Sequence, residues 1–152
     1  MALDQTAKIY NMQKSFKKYL VDNLNRIEGI RVSFDKDITP PTKQGVPYDE
    51  WVSVNFGETF PSNLTRQRIQ LALCTRKDKE ADALAQMRDI VVGYLTDAVN
   101  GYRRVPLYEV STWTVIGAML VIIEDMESGI KEATDGTKFK LINLTLKWGS
   151  KV

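Results

Sequence analysis

From Gln67 to Cys74 the chain alternates polar and apolar residues, and directly after Thr75 the spacing of its apolar residues changes from two to 3.6. Such a switch reads as a strand followed by a helix, so the fold combines both. Ile69, Leu71 and Leu73 fall on one side of the strand, and Arg68, Gln70, Ala72 and Cys74 on the other. Ala81, Leu84, Met87 or Arg88, Val91, Leu95 and Ala98 trace the helical face beyond it. Thr75 and Asp78 have the Thr-x-x-acid form of a capping arrangement. Asp78, Glu80 and Asp82 lie where the positive end of a helix dipole favours carboxylates by about 0.3–1 kcal/mol each. The dense charge after Cys74 therefore reads as a corner between strand and helix.

An earlier helix is predicted over residues 4–26, where Ile9, Met12, Phe16, Leu20, Leu24 and Ile27 recur at spacings of three and four, with Asp4 at its start and Gly29 at its stop. A short strand over 30–34 comes next, then a proline-bearing loop or arm over 35–50. Val52, Val54 and Phe56 alternate with Ser53 and Asn55 as a half-buried strand does. Residues 100–114 open on an Asn-Gly turn and continue as a partly extended segment of open class. Near the C-terminus, Ile142, Leu144, Leu146 and Trp148 alternate against Lys140, Asn143, Thr145 and Lys147 after an Asp-Gly turn at 135–136, which predicts a long antiparallel hairpin over about 116–148. The expected fold is a single α+β domain over 1–152: one antiparallel sheet, two helices packed on one face, and a long C-terminal β-hairpin.

A chain of 152 residues, 43% hydrophobic and 26% charged, can fill one core. No apolar run reaches the roughly 18–20 residues that span a bilayer, so no membrane partner is expected. The first 18 residues lack the continuous apolar stretch of a secretory signal, and the single cysteine cannot form an internal disulfide; both fit a protein that stays in the cell that makes it. With no histidine, the usual neutral-pH base and commonest metal ligand are missing, so no enzyme, metal or cofactor is expected. Cys74 as a nucleophile at a helix start is weighed against the simpler reading of a small buried hydrophobe, and the second is preferred. Asp35 with Asp37, Asp49 with Glu50, and Glu124, Asp125 and Glu127 have no recognisable metal-binding spacing and read as solvated loop charge.

Two candidate surfaces remain. Arg66, Arg68 and Gln70 occupy the polar side of the strand; Arg66, Arg68, Arg76, Lys77 and Lys79, with Tyr102, Arg103 and Arg104, mix basic and aromatic residues as single-strand nucleic-acid binders do, but an ordinary charged face compensated by nearby Asp and Glu is the preferred reading, and a net charge of +2 offers little general basic excess. Residues 116–123 are apolar on both faces, and Leu120 and Ile122 there, with Leu107, Tyr108 and Trp113, give more apolar surface than one sheet and two helices need, which suits a subunit interface.

The sequence resembles the tail terminator (tail completion) proteins of tailed bacteriophages. The resemblance rests on the N-terminal helix, the proline-bearing loop, "WVSVNFGE", the passage "RIQLALCTRKDKEADALAQMRDIV" and the closing "FKLINLTLKWGS", and covers most of the chain in order. It implies a non-catalytic virion protein at the head–tail junction, assembled in the host cytoplasm. Such a subunit forms a homohexameric ring on the last ring of tail tube protein, stops tube polymerisation and offers a docking surface to head-tail connector proteins. DNA would pass through the ring without sequence-specific binding, and the tail sheath is a further candidate neighbour. A neck or head-completion protein is the near alternative, and a small nucleic-acid-binding α+β module the distant one.

Overall fold

The computed structural model describes residues 9–35, 42–60, 64–78, 80–96, 103–123 and 129–149. The predicted cap Asp4, the Asn-Gly turn at 100–101, and Asp37, Lys79, Ala98, Tyr102, Glu124, Asp125 and Glu127 lie outside them.

The first helix, α1 (Ile9–Leu20), buries Met12, Phe16 and Leu20 as its spacing dictates. It continues into a π-helical turn, Val21–Asn25, in which the Arg26 N–H reaches the Val21 carbonyl at 3.0 Å. The wider turn rotates the residues after it, so Ile27, expected on the apolar face, is 67% exposed. Gly29, at φ +72°, lets the chain leave the helix. Two buried polar residues of α1 have partners elsewhere: Ser15 Oγ accepts from the Tyr108 N–H at 2.8 Å, and Asn11 Oδ1 from the Val110 N–H at 3.1 Å.

The strands are β1 (Arg31–Phe34), β2 (Thr42–Lys43), β3 (Val46–Pro47), β4 (Glu50–Phe60), β5 (Leu64–Thr75), β6 (Arg103–Glu109), β7 (Thr114–Ile123), β8 (Lys131–Glu132) and β9 (Lys138–Gly149). They form a seven-stranded sheet in the order β1-β4-β5-β9-β7-β6, with β8 also on β9, while β2 and β3 make a small hairpin of their own. The mixed α+β class holds, but a wholly antiparallel sheet does not, because β1 runs parallel to β4. Chain direction there is set by the connection over residues 35–50, which alternation along a strand does not encode.

The second helix, α2 (Asp82–Leu95), starts later than the Thr75–Asp78 pattern predicts. Thr75 ends β5, and Asp78 itself takes the capping role: its carboxylate accepts from the Leu84 N–H at 3.0 Å and the Ala83 N–H at 3.3 Å. At the other end, Arg103 Nη2 donates to the carbonyls of Gly93 (2.8 Å) and Thr96 (2.9 Å), satisfying acceptors that a helix terminus leaves open. Leu84, Met87, Val91 and Leu95 join Met12, Phe16, Leu20 and Leu24 in one core with Val52, Val54, Ile69, Leu71, Leu73, Ile142, Leu144 and Leu146. Both helices thus cover the same face of the sheet.

The predicted C-terminal hairpin is corrected. β7 and β9 are antiparallel neighbours, but only from Leu120↔Lys147 to Ile123↔Leu144, and Thr114 to Met119 pair with β6 instead. The Asp-Gly turn closes a different pair, β8 on β9, with the Ala133 N–H on the Thr137 carbonyl at 2.8 Å. Local turn chemistry fixes which residues reverse, not which strand lies beside β9 further along. Lys140 pairs with Leu73 and so shares the covered side with Ile142, not the side of Asn143.

Candidate interaction surface

The uncovered face of the sheet is set by register. Arg66, Arg68 and Gln70 alternate with the buried Gln67, Ile69 and Leu71, and they lie opposite Lys147, Thr145 and Asn143 of β9. β9 in turn places Lys147 beside Leu120 and Thr145 beside Ile122, and β6 places Arg104 beside Leu120. One row across the sheet therefore reads Arg104, Leu120, Lys147, Arg66, Phe60, and the next Ile122, Thr145, Arg68. Arg66 and Arg68 both lie over the Phe60 ring, at 5.6 and 5.4 Å from its centroid. Such stacking holds two guanidinium groups over one aromatic ring.

A bulge in β4 between Phe56 and Thr59 shapes the same region. Gln67, fully buried, occupies the bulge: its Nε2 donates to the carbonyls of Gly57 (2.6 Å), Arg68 (3.0 Å) and Glu58 (3.3 Å), and its Oε1 accepts from the Thr59 hydroxyl. At Gly57 an added Cβ would sit 3.4 Å from the Arg68 carbonyl, at the near edge of ordinary van der Waals contact. Beside the bulge is an open groove of about 480 Å³, bordered by Asn55, Glu58, Arg68, Gln70, Asn143 and Thr145 among others. Across it Gln70 Nε2 donates to Asn143 Oδ1 at 3.2 Å.

Lys18 and Arg26 pair with Asp22, Arg76 and Lys77 with Asp49, and Arg88 with Asp89. Arg66, Arg68, Arg104 and Lys147 form no ion pair among the described residues. The opposite end of this face is apolar and closed: Trp51, Ala72 and Cys74 are buried together, with Phe139 and Leu141 packed against them. Cys74 is a buried thiol. Ala72 and Cys74 share the side of β5 that carries Arg68 and Gln70, but they are buried there against Trp51, which lies opposite Cys74, as the reading of Cys74 as a small buried hydrophobe expects.

The expected apolar interface set divides. Leu120 and Ile122 are half-buried on the open face, beside the cations. Leu107 is 3% exposed inside the helix-covered core and is not available to a neighbour, a correction that follows from its register opposite Gly117 and its packing under α1. Tyr108 and Trp113 meet at the β6–β7 turn, their rings edge to face with centroids 5.9 Å apart. Trp113 is 47% exposed and sits at φ +53°, and Val115 beside it is 60% exposed. Of the basic residues grouped for nucleic-acid binding, Arg103 caps α2 and Arg76 and Lys77 turn to Asp49, which leaves Arg66, Arg68 and Arg104. Lys147 and Phe60 were not singled out from sequence; the alternation of β9 places Lys147 on a polar side, but only strand order puts it next to Arg66.

Among the carboxylates weighed for metal binding, Asp35 accepts from the Phe56 N–H at 3.1 Å and Asp49 serves Arg76 and Lys77. No group of three potential ligands gathers among the described residues. No helix among them is long and apolar enough to cross a membrane. Two carboxyls are held below the ordinary range. Burial raises the Asp78 carboxyl, but the hydrogen bonds from the Leu84 N–H, the Thr75 hydroxyl and the Ala83 N–H together outweigh it; at Asp135 the hydrogen bonds from Thr137 lower it. Both are turn and cap devices, not reactive groups.

No protein-family model matches the chain, and no curated protein matches it. A solved structure is similar to it with a TM-score of 0.59 at 12% sequence identity, covering 93% of this chain and 95% of the other, and its name carries no function. At that identity the likeness shows the fold alone.

Proposed function

We propose that the chain is a non-catalytic assembly subunit of a phage virion, a tail terminator that caps the tail tube as a homohexameric ring, ends its polymerisation and offers a docking surface to the head-tail connector. One observation carries the reading: the sheet is covered by its own helices on one face, while the other bares Leu120 and Ile122 beside four cations without acidic partners among the described residues. Half-buried aliphatic residues rimmed by arginine and lysine suit a protein contact better than a solvated surface. The β6–β7 turn with Tyr108 and Trp113, and the β2–β3 hairpin, whose Val46 is 66% exposed, are candidate docking arms toward tube or connector. In this reading DNA passes through the ring and makes no base-specific contact.

A second reading, a nucleic-acid-binding module, is favoured by one feature, the pair of guanidinium groups over Phe60. Light scattering with and without a single-stranded oligonucleotide separates the two. Assembly predicts an oligomer whose mass does not depend on the oligonucleotide. A stable monomer that binds the oligonucleotide in a salt-sensitive way would sink the terminator reading.

A further inference from the structure

The outer side of α2 carries one residue, Gly93, that the chain itself does not explain. Asp82, Gln86, Asp89 and Gly93 recur at spacings of four, three and four and are all exposed, opposite the buried Leu84, Met87, Val91 and Leu95. A glycine inside a helix costs about 1 kcal/mol relative to alanine. At Gly93 the backbone has no positive φ to require it, and a Cβ there would meet nothing within 4 Å. Its conformation and its surroundings in one subunit thus give no reason for glycine. Close approach of another surface would.

We propose that this side of α2 docks on the open sheet face of a second copy of the same chain. Charge and spacing both fit. Asp82 and Asp89, seven residues apart in a helix, are about 10.5 Å apart along its axis. On the sheet, Arg104 and Lys147 flank Leu120 at one strand each, which separates them by about 10 Å. Asp82, and Asp89 alongside its own-helix partner Arg88, thus meet two cations that lack acidic partners among the described residues, with Leu120 between them and Gly93 removing bulk where the helix meets the sheet. The contact joins two different patches of the subunit, which border a common cleft where Arg104 meets Asp89 and Gly93, and such a head-to-tail contact generates a ring where its rotation closes. This inference rests on the assembly reading and supplies its patches.

The test is sedimentation velocity over increasing concentration with four full-length variants, Lys147→Glu, Asp89→Lys, the double variant and Gly93→Leu. Lys147→Glu and Asp89→Lys each weaken self-association by roughly tenfold, and the double variant recovers it, because the reversed charges face each other again. A mixture of the two single variants also recovers association, as alternating copies, since one contact has the original charges and the next has them reversed. Gly93→Leu keeps the fold, having open space around it, but loses association. Wild-type protein that stays monomeric up to about 1 mM, failure of the double variant to recover, or normal association of Gly93→Leu overturns the proposal. Loss of oligonucleotide binding in Lys147→Glu with self-association intact would assign the face to nucleic acid instead. If the rescue fails while the protein still caps tail tubes, this contact is wrong and the assembly reading stands.

Discussion

Leu120 and Val121 are neighbours in β7 with opposite surroundings, so aspartate at each position is expected to act differently. Val121 is 0% exposed, paired with Leu146 and packed in the core under the helices. Losing its burial costs about 1.5–3 kcal/mol, and forcing a polar group into that site adds about 2–7 kcal/mol. The sum approaches or exceeds the lower end of a domain's stability, about 5–15 kcal/mol. Val121→Asp should therefore be unfolded or expressed only as aggregate. Leu120 is half-buried and faces out beside Lys147 and Arg104. Leu120→Asp should cost about 1 kcal/mol, half a side-chain transfer, and remain folded while self-association is lost. Urea unfolding followed by tryptophan fluorescence reads both, because Trp51 and Trp148 are buried and report the core directly. If Leu120→Asp unfolds as completely as Val121→Asp, or Val121→Asp folds normally, the assignment of the two faces is wrong.

Gln67→Leu should destabilise by about 2–4 kcal/mol, since it strips donors from three carbonyls at the β4 bulge and leaves the Thr59 hydroxyl without its acceptor; chemical denaturation measures this, and a change under about 0.5 kcal/mol would contradict the role given to Gln67. Asp78→Ala should cost up to about 1 kcal/mol by removing the α2 cap, reduced by solvent screening at this partly exposed site. The folded Asp78 carboxyl titrates below its unfolded value, so its contribution is fully present above the unfolded pKa, near 4, and is lost as pH falls through the folded one; Asp78→Asn should flatten the acid limb of a stability–pH curve below about pH 4. Arg103→Met should lower stability by about 1–3 kcal/mol and fray the end of α2, visible as faster amide exchange at Gly93 to Thr96.

The alternation through Ile69, Leu71 and Leu73 and the 3.6 spacing through Leu84, Val91 and Leu95 were sufficient to place one strand and one helix on the core, because each pattern records a single buried side. The same pattern separated Arg66, Arg68 and Gln70 from the core. Gln67 was not legible, because a buried amide between two arginines looks like a run of polar residues until the β4 bulge supplies its partners. Pairing over distance was not legible either. The parallel run of β1 on β4, the transfer of the Asp-Gly turn to β8, and the meeting of Lys147 with Arg66 and Leu120 all depend on strand order, to which a period of two is blind. The π-turn that exposes Ile27 is a change of one residue in helical phase, too small to disturb the apolar spacing before it.

Whether the chain acts by assembling on the end of a tail tube is tested most directly by electron microscopy of growing tail tubes, with the purified protein added and omitted. A terminator gives a six-fold ring at one end of each tube and tubes that stop lengthening once it is present. Tubes that lengthen at the same rate with bare ends at saturating protein would contradict that role.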